Sequence, residues 1–371
     1  AQKPPSRPTL DGLINAFDSA RFEVVNRMLA AIEEQAVHQT TMPGSRSPGD
    51  IERAIAMREL RARLHALQGA DVQAARQMGN AQRHVARTDH AHHWQLARLE
   101  ARHYERAASS TRTPDHLESA ARACSTVLAN LTSSAPCELK AEIQSELAHY
   151  LIRLGQIEQS SSRFDIAAQL LTDALENLGQ ASPPATRLLA LVRHGDALFG
   201  LARLSGATGL SDRAIASYEN ATDLLPAIAQ QPPSSVSGRR PFEESILALR
   251  ARLALALAMR TETETNLHEA ALETIVDVLP ALTAPQDVND EAEVSAGLLA
   301  GLCHRVVAGW LIAAGDTAAA RRRIAAAAEI LEDAGFDRLA REMSAEIEWR
   351  LQAPTPAIDP ADTSPSATVA A

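Results

Sequence analysis

A spacing of 47 residues organises this chain. Ala101, Ala148 and Gly195 stand 47 apart, as do Ala120, Ala167 and Ala214, and Leu131, Leu178 and Leu225. A fixed period of roughly 20–50 residues leaves few folds open. Each copy is one supersecondary unit with an apolar face it cannot bury alone, and stacking neighbours closes a continuous core. A fourth copy places Ala251 and Ala270 each 56 residues beyond its predecessor, the nine extra residues falling in the Pro/Ser/Gly-rich stretch 226–241. Two outer pairs are tighter. Ala62 and Ala74, and Ala308 and Ala320, are 12 apart, against 19 between the paired small residues of the inner copies.

The residue types between these positions are those of helices. Ala, Leu, Arg, Glu and Gln dominate and are strong helix formers, while alternating β-branched runs are lacking. The expectation is an all-α chain of about six helical hairpins, with a trailing helix near 334–351. Gly69-Ala70-Asp71 and Gly315-Asp316 serve as short turns in the outer pairs. Thr9 and Asp11 offer caps for a leading helix to Gln35, and 38–50 reads as a loop. The division is residues 1–50 as helix and loop, 51–351 as the repeat domain, and 352–371 as a disordered tail rich in Pro, Ala, Thr and Ser.

These residues resemble the tetratricopeptide repeat family. Ala308, Leu311, Gly315, Ala320, Ile324 and Ala327 fall on its positions in order. So do Gly195, Leu198, Ala214, Tyr218, Ala221 and Pro226, with seven residues inserted at the turn. The early aromatic of the family is replaced by Ala97, Gln144, Leu191, Leu247 and His304. The resemblance covers about residues 57–333 and implies a right-handed α-solenoid.

The totals exclude several classes. Apolar residues at 46% rule out a disordered chain. The net charge of −10 disfavours nucleic acid as a partner, although residues 51–125 hold 12 Arg against 8 acids. Two lysines against 34 arginines fit the coding bias of a GC-rich bacterial genome. Cys124, Cys137 and Cys303 have no metal or disulfide spacing. No apolar run is read as a membrane span. An initial Ala fits either Met removal, the cytoplasmic expectation, or signal-peptide cleavage. No catalytic motif occurs, so the chain reads as non-enzymatic with no cofactor. Asp89-His90-Ala91-His92-His93, with His84 and His103, is the one His-rich tract. Adjacent imidazoles splay about 100° apart on a helix, so these are read as cap and surface residues. Glu33-Glu34, Glu243-Glu244 and Arg321-Arg322-Arg323 are read as solvated.

The resemblance implies that the first helices of successive hairpins line a concave face that binds peptides. The matching positions include Arg98, Arg102, His149, Ile152, Asp196, Phe199 and Arg252. The expectation is an adaptor holding a protein segment that is acidic toward the Arg98 end and apolar at its centre. Self-association and ligand-sensing regulation are the rival readings.

Overall fold

A computed structural model describes residues 48–83, 85, 89–111, 113–179, 182–229, 239–260, 265–283 and 290–352. The expected leading helix, the tail and His84 lie outside them. The elements are α1 (Pro48–Leu67), α2 (Asp71–Gln82), α3 (His90–Thr111), α4 (Pro114–Asn130), α5 (Cys137–Glu158), α6 (Ser161–Asn177), α7 (Pro184–Ser205), α8 (Thr208–Thr222), the single turn α9 (Leu225–Ala229), α10 (Arg239–Arg260), α11 (Thr265–Leu282), α12 (Asp290–Ala313), α13 (Thr317–Asp333) and α14 (Asp337–Gln352). No strand occurs among the described residues, and the protein is all-α.

Helices α3, α5 and α7 each run 22 residues and start 47 apart, at His90, Cys137 and Pro184. Their partners α4, α6 and α8 start at Pro114, Ser161 and Thr208, again 47 apart. Proline opens α4 and α7, where its missing N–H is one of the unpaired donors in any case. Proline also opens α1 at Pro48, so this helix begins inside the stretch 38–50 expected to be a loop. Likewise α9 and the start of α10 at Arg239 narrow the loop expected over 226–241.

The small residues sit where helices meet. Ala101, Ala120, Ala148, Ala167, Ala214 and Ala251 are fully buried. At Gly195 a Cβ would stand 2.3 Å from a ring carbon of Tyr218, closer than any carbon contact allows. The fourth copy corrects one expectation. Ala270 is exposed and Ala271 is buried; Asp277 is exposed and Val278 is buried. Ala251 keeps its place, so the apolar stripe of α11 stands one residue later than the 56-residue offset puts it.

Apart from the single turn α9, which meets α7, each helix packs on the next, and α8 packs on α10. Along one side α5 meets α7, α7 meets α10 and α10 meets α12. The chain also returns on itself, with α12 touching α3 and α14 touching α5. Arg338 on α14 donates to the carbonyl oxygen of Glu158, 180 residues earlier, at 2.7 Å. The core has a large part centred on α3–α8, a second on α10–α14, and a small one under α1 and α2. Ile157 and Phe199 pack against both larger parts. One stretch of α12, Ala296–Ala313, is long and apolar enough by length and composition to cross a membrane. Half of it is buried inside this fold, and its Arg305 pairs with Glu346 at 2.5 Å.

Candidate functional site

Acids and bases on α3, α5 and α7 meet at offsets near the 47-residue period. Arg98 donates to Glu142 at 3.1 Å and to Glu146 at 3.2 Å. Arg193 reaches the other oxygen of Glu146 at 2.9 Å and Ser145 Oγ at 3.0 Å. The Glu105 carboxylate, buried at 5% exposure, receives Arg153 and lies 3.0 Å from His149 Nε2. Burial pushes the Glu146 carboxyl up, but Arg193, His149, Arg98 and Arg102 outweigh it and hold the group below its usual range. One rung further, Asp196 Oδ1 accepts from Tyr218 Oη at 2.8 Å and from Arg252 Nε at 2.7 Å. Burial opposes the charge on Arg252, and Asp196 more than restores it, so its pKa rises.

Beside these rungs lies a cavity of about 430 Å³. Residues of α5 and α7 form one wall, including Ile152, Val192 and Phe199. Leu249, Arg252 and Leu255 of α10 form a second. Leu298, Leu299 and Leu302 of α12, with Phe336 and Leu339 at the start of α14, form the third. The walls are mainly apolar, yet four arginines reach the space: Arg153, Arg193, Arg203 and Arg252. The first, second and fourth are each paired with a carboxylate, Glu105, Glu146 and Asp196 respectively. Arg203 makes no ion pair among the described residues. Among those residues it donates only to the side-chain oxygen of Gln159.

Gln159 is itself unusual. It caps α5 with φ at +50°, the one non-glycine among the described residues in the left-handed region. Forty-seven residues later the same place is taken by Gly206, with φ at +69°. A side chain in that conformation costs about 1 kcal/mol or more. Here the side chain is put to use: its amide donates to the Gln156 carbonyl oxygen and its oxygen accepts from Arg203.

Of the seven residues expected at a binding face, His149, Ile152, Asp196, Phe199 and Arg252 line this cavity. Asp196 and Arg252 are engaged with each other, which removes both as free charges. Arg98 and Arg102 lie away from it. Arg98 is already supplied with acid by α5, and Arg102 is exposed. Sequence reasoning missed Arg153, Arg193, Arg203, Gln159 and the whole contribution of α12 and α14. The first two carried a legible signal, because Glu105/Arg153 and Glu146/Arg193 place acid and base 48 and 47 residues apart.

The remaining candidates resolve into structural roles. Asp89 accepts from the His92 amide at 3.1 Å at the start of α3, His90 meets Thr132 Oγ1 at 2.8 Å, and His93 lies 3.2 Å from the Val85 carbonyl. His103 and Arg106 share Asp71. The Cys124 and Cys303 thiols are buried, and burial pushes Cys303 up to about 12, far from a reactive thiolate. In comparisons with known proteins, no protein-family model and no curated protein matches the chain.

Proposed function

We propose that the protein is a non-enzymatic binding module, built as a TPR-like α-solenoid, whose inner face holds a compact ligand. What supports this reading is the cavity of about 430 Å³, within the roughly 300–1,000 Å³ typical of small-molecule sites. Its apolar walls with a few polar groups have the usual make-up of such sites. An extended protein segment is the weaker occupant, because α12 and α14 already lie against α3 and α5, and Arg98 is neutralised from within. Ligand sensing follows naturally. The walls come from helices as far apart in sequence as α5 and α14, so an occupant ties the two large core parts together.

The test is titration with a neutral, environment-sensitive apolar dye. Saturable one-to-one binding is expected, abolished by Leu189→Trp. Leu189 lines the cavity yet is 43% exposed, so an indole there blocks entry without overfilling the core. Binding that is non-saturable, or indifferent to this plug, would sink the reading.

A second reading, self-association, is favoured by two exposed indoles. Trp310 on α12 and Trp349 on α14 are 47% and 69% exposed, next to the place where Gly309 approaches Arg350. Aromatic side chains left in water on neighbouring helices suit a partner surface. Light scattering at two concentrations tests it, with Trp349→Ser expected to abolish any concentration-dependent mass.

A further inference from the structure

We propose that the cavity takes a small amphipathic acid, with one carboxylate set against Arg203 and one apolar body along the leucine and phenylalanine walls. The proposal rests on the binding-module reading and deepens it. Its basis is a charge imbalance. Three of the four lining arginines are each matched by a carboxylate, and among the described residues the fourth is matched only by an amide oxygen. Charges withdrawn from water are ordinarily paired. The two carboxylates that act on Arg203 electrostatically are hydrogen-bonded to other arginines. Glu342 holds Arg338 at 2.7 Å, and Glu346 holds Arg305 at 2.5 Å and Arg350 at 2.8 Å. Burial and the neighbouring Arg305 push the Arg203 guanidinium down to about 10, which leaves it cationic at neutral pH.

The geometry also sets the ligand's size and charge. At roughly 30 Å³ per water-sized group, a space of about 430 Å³ takes about fourteen non-hydrogen atoms. A medium-chain monocarboxylic acid fits that number. A single unmatched cation calls for a single negative charge, and a dianion would add repulsion from Glu342 and Glu346, both within electrostatic range of Arg203. Gln159, held in its left-handed conformation at the cavity wall, fixes one edge of the guanidinium. Its remaining N–H groups are left to grip a carboxylate oxygen.

The experiment is calorimetric titration of the full chain with octanoate, 1-octanol and octyl phosphate, all below their aggregation thresholds. Octanoate is expected to bind at least tenfold more tightly than either of the others. Arg203→Met should lower octanoate affinity tenfold or more while leaving octanol within about twofold, and Arg203→Lys should retain part of the preference. Equal affinity of the wild-type protein for octanoate and octanol would overturn the proposal while leaving the cavity reading intact. Binding of neither, together with no dye binding, would overturn both. Should Arg203→Met not fold, the wild-type preference for acid over alcohol, and its weakening by added salt, decide the matter alone.

Discussion

The first helices of α3–α8 and those of α10–α14 are joined by different forces. Between α3, α5 and α7 the contacts on the inner side are charged: Arg98 with Glu142 and Glu146, Glu105 with Arg153 and His149, Arg193 with Glu146. Among α10, α12 and α14 they are mostly apolar, built from Leu255, Leu298, Leu302, Leu339 and Met343, with Arg305–Glu346 as the principal charged link. Directional charge pairs demand one register, since a slip leaves a buried ion unmatched at a cost of several kcal/mol. Apolar contacts tolerate small displacements far better. The charged rungs of α3, α5 and α7 therefore fix one register, a template that the apolar contacts among α10, α12 and α14 do not impose. The cavity and Arg203 lie at that junction, where the ladder of matched charges stops.

The largest effect that would test this contrast is at Asp196. Asp196→Ala removes the carboxylate that Arg252 and the Tyr218 hydroxyl share, so a loss of about 3 kcal/mol is expected in chemical denaturation. In the apolar half, Leu339→Ala borders an existing cavity and should cost about 2 kcal/mol, the low end for such a deletion. If Leu339→Ala proves the costlier, the polar half is not the template. Next comes Gly195→Leu. Its first side-chain carbon already clashes with Tyr218, and a loss of about 1–3 kcal/mol is expected, read as a lower urea midpoint at unchanged slope.

A smaller effect concerns the edge of the polar half, where the Glu100 carboxyl lies against Gly79 of α2. Burial raises its pKa to about 7, with Arg83 opposing. A raised folded-state pKa favours the protonated form in the native protein. Its contribution is thus full below the unfolded pKa near 4.5 and is lost as pH rises through about 7. Glu100→Gln should remove that dependence and gain of order 1 kcal/mol relative to wild type above pH 7. A stability difference between the two that does not change from pH 5 to 8 would show that the carboxyl is solvated. The smallest effect is expected at Arg98, whose side chain is 35% exposed. Arg98→Ala should cost under about 1 kcal/mol, and high salt should shrink even that. A loss as large as that of Asp196→Ala would mean that the rungs act as one cooperative network.

What could be read directly was periodic. The 47-residue spacing of Ala101, Ala148 and Gly195 placed three helices whose starts share that interval, because a small residue at a close crossing is a local requirement that recurs with each copy. The all-α fold followed from helix propensity alone. The partial failure at Ala270 had a local cause too, since a shift of one position along α11 is invisible until burial selects Ala271. Five of the seven residues expected at a binding face line one cavity, a grouping for which their positions one period apart were the signal. The sequence by itself determined the helices, their apolar stripes and the acids and bases spaced one period apart. Only the tertiary structure decided which charges cancel, that α12 and α14 return to lie against α3 and α5, and that Arg203 has no carboxylate among the described residues. Those outcomes depend on contacts between residues as distant as Glu158 and Arg338, and no local preference or repeat period encodes where a chain comes back upon itself.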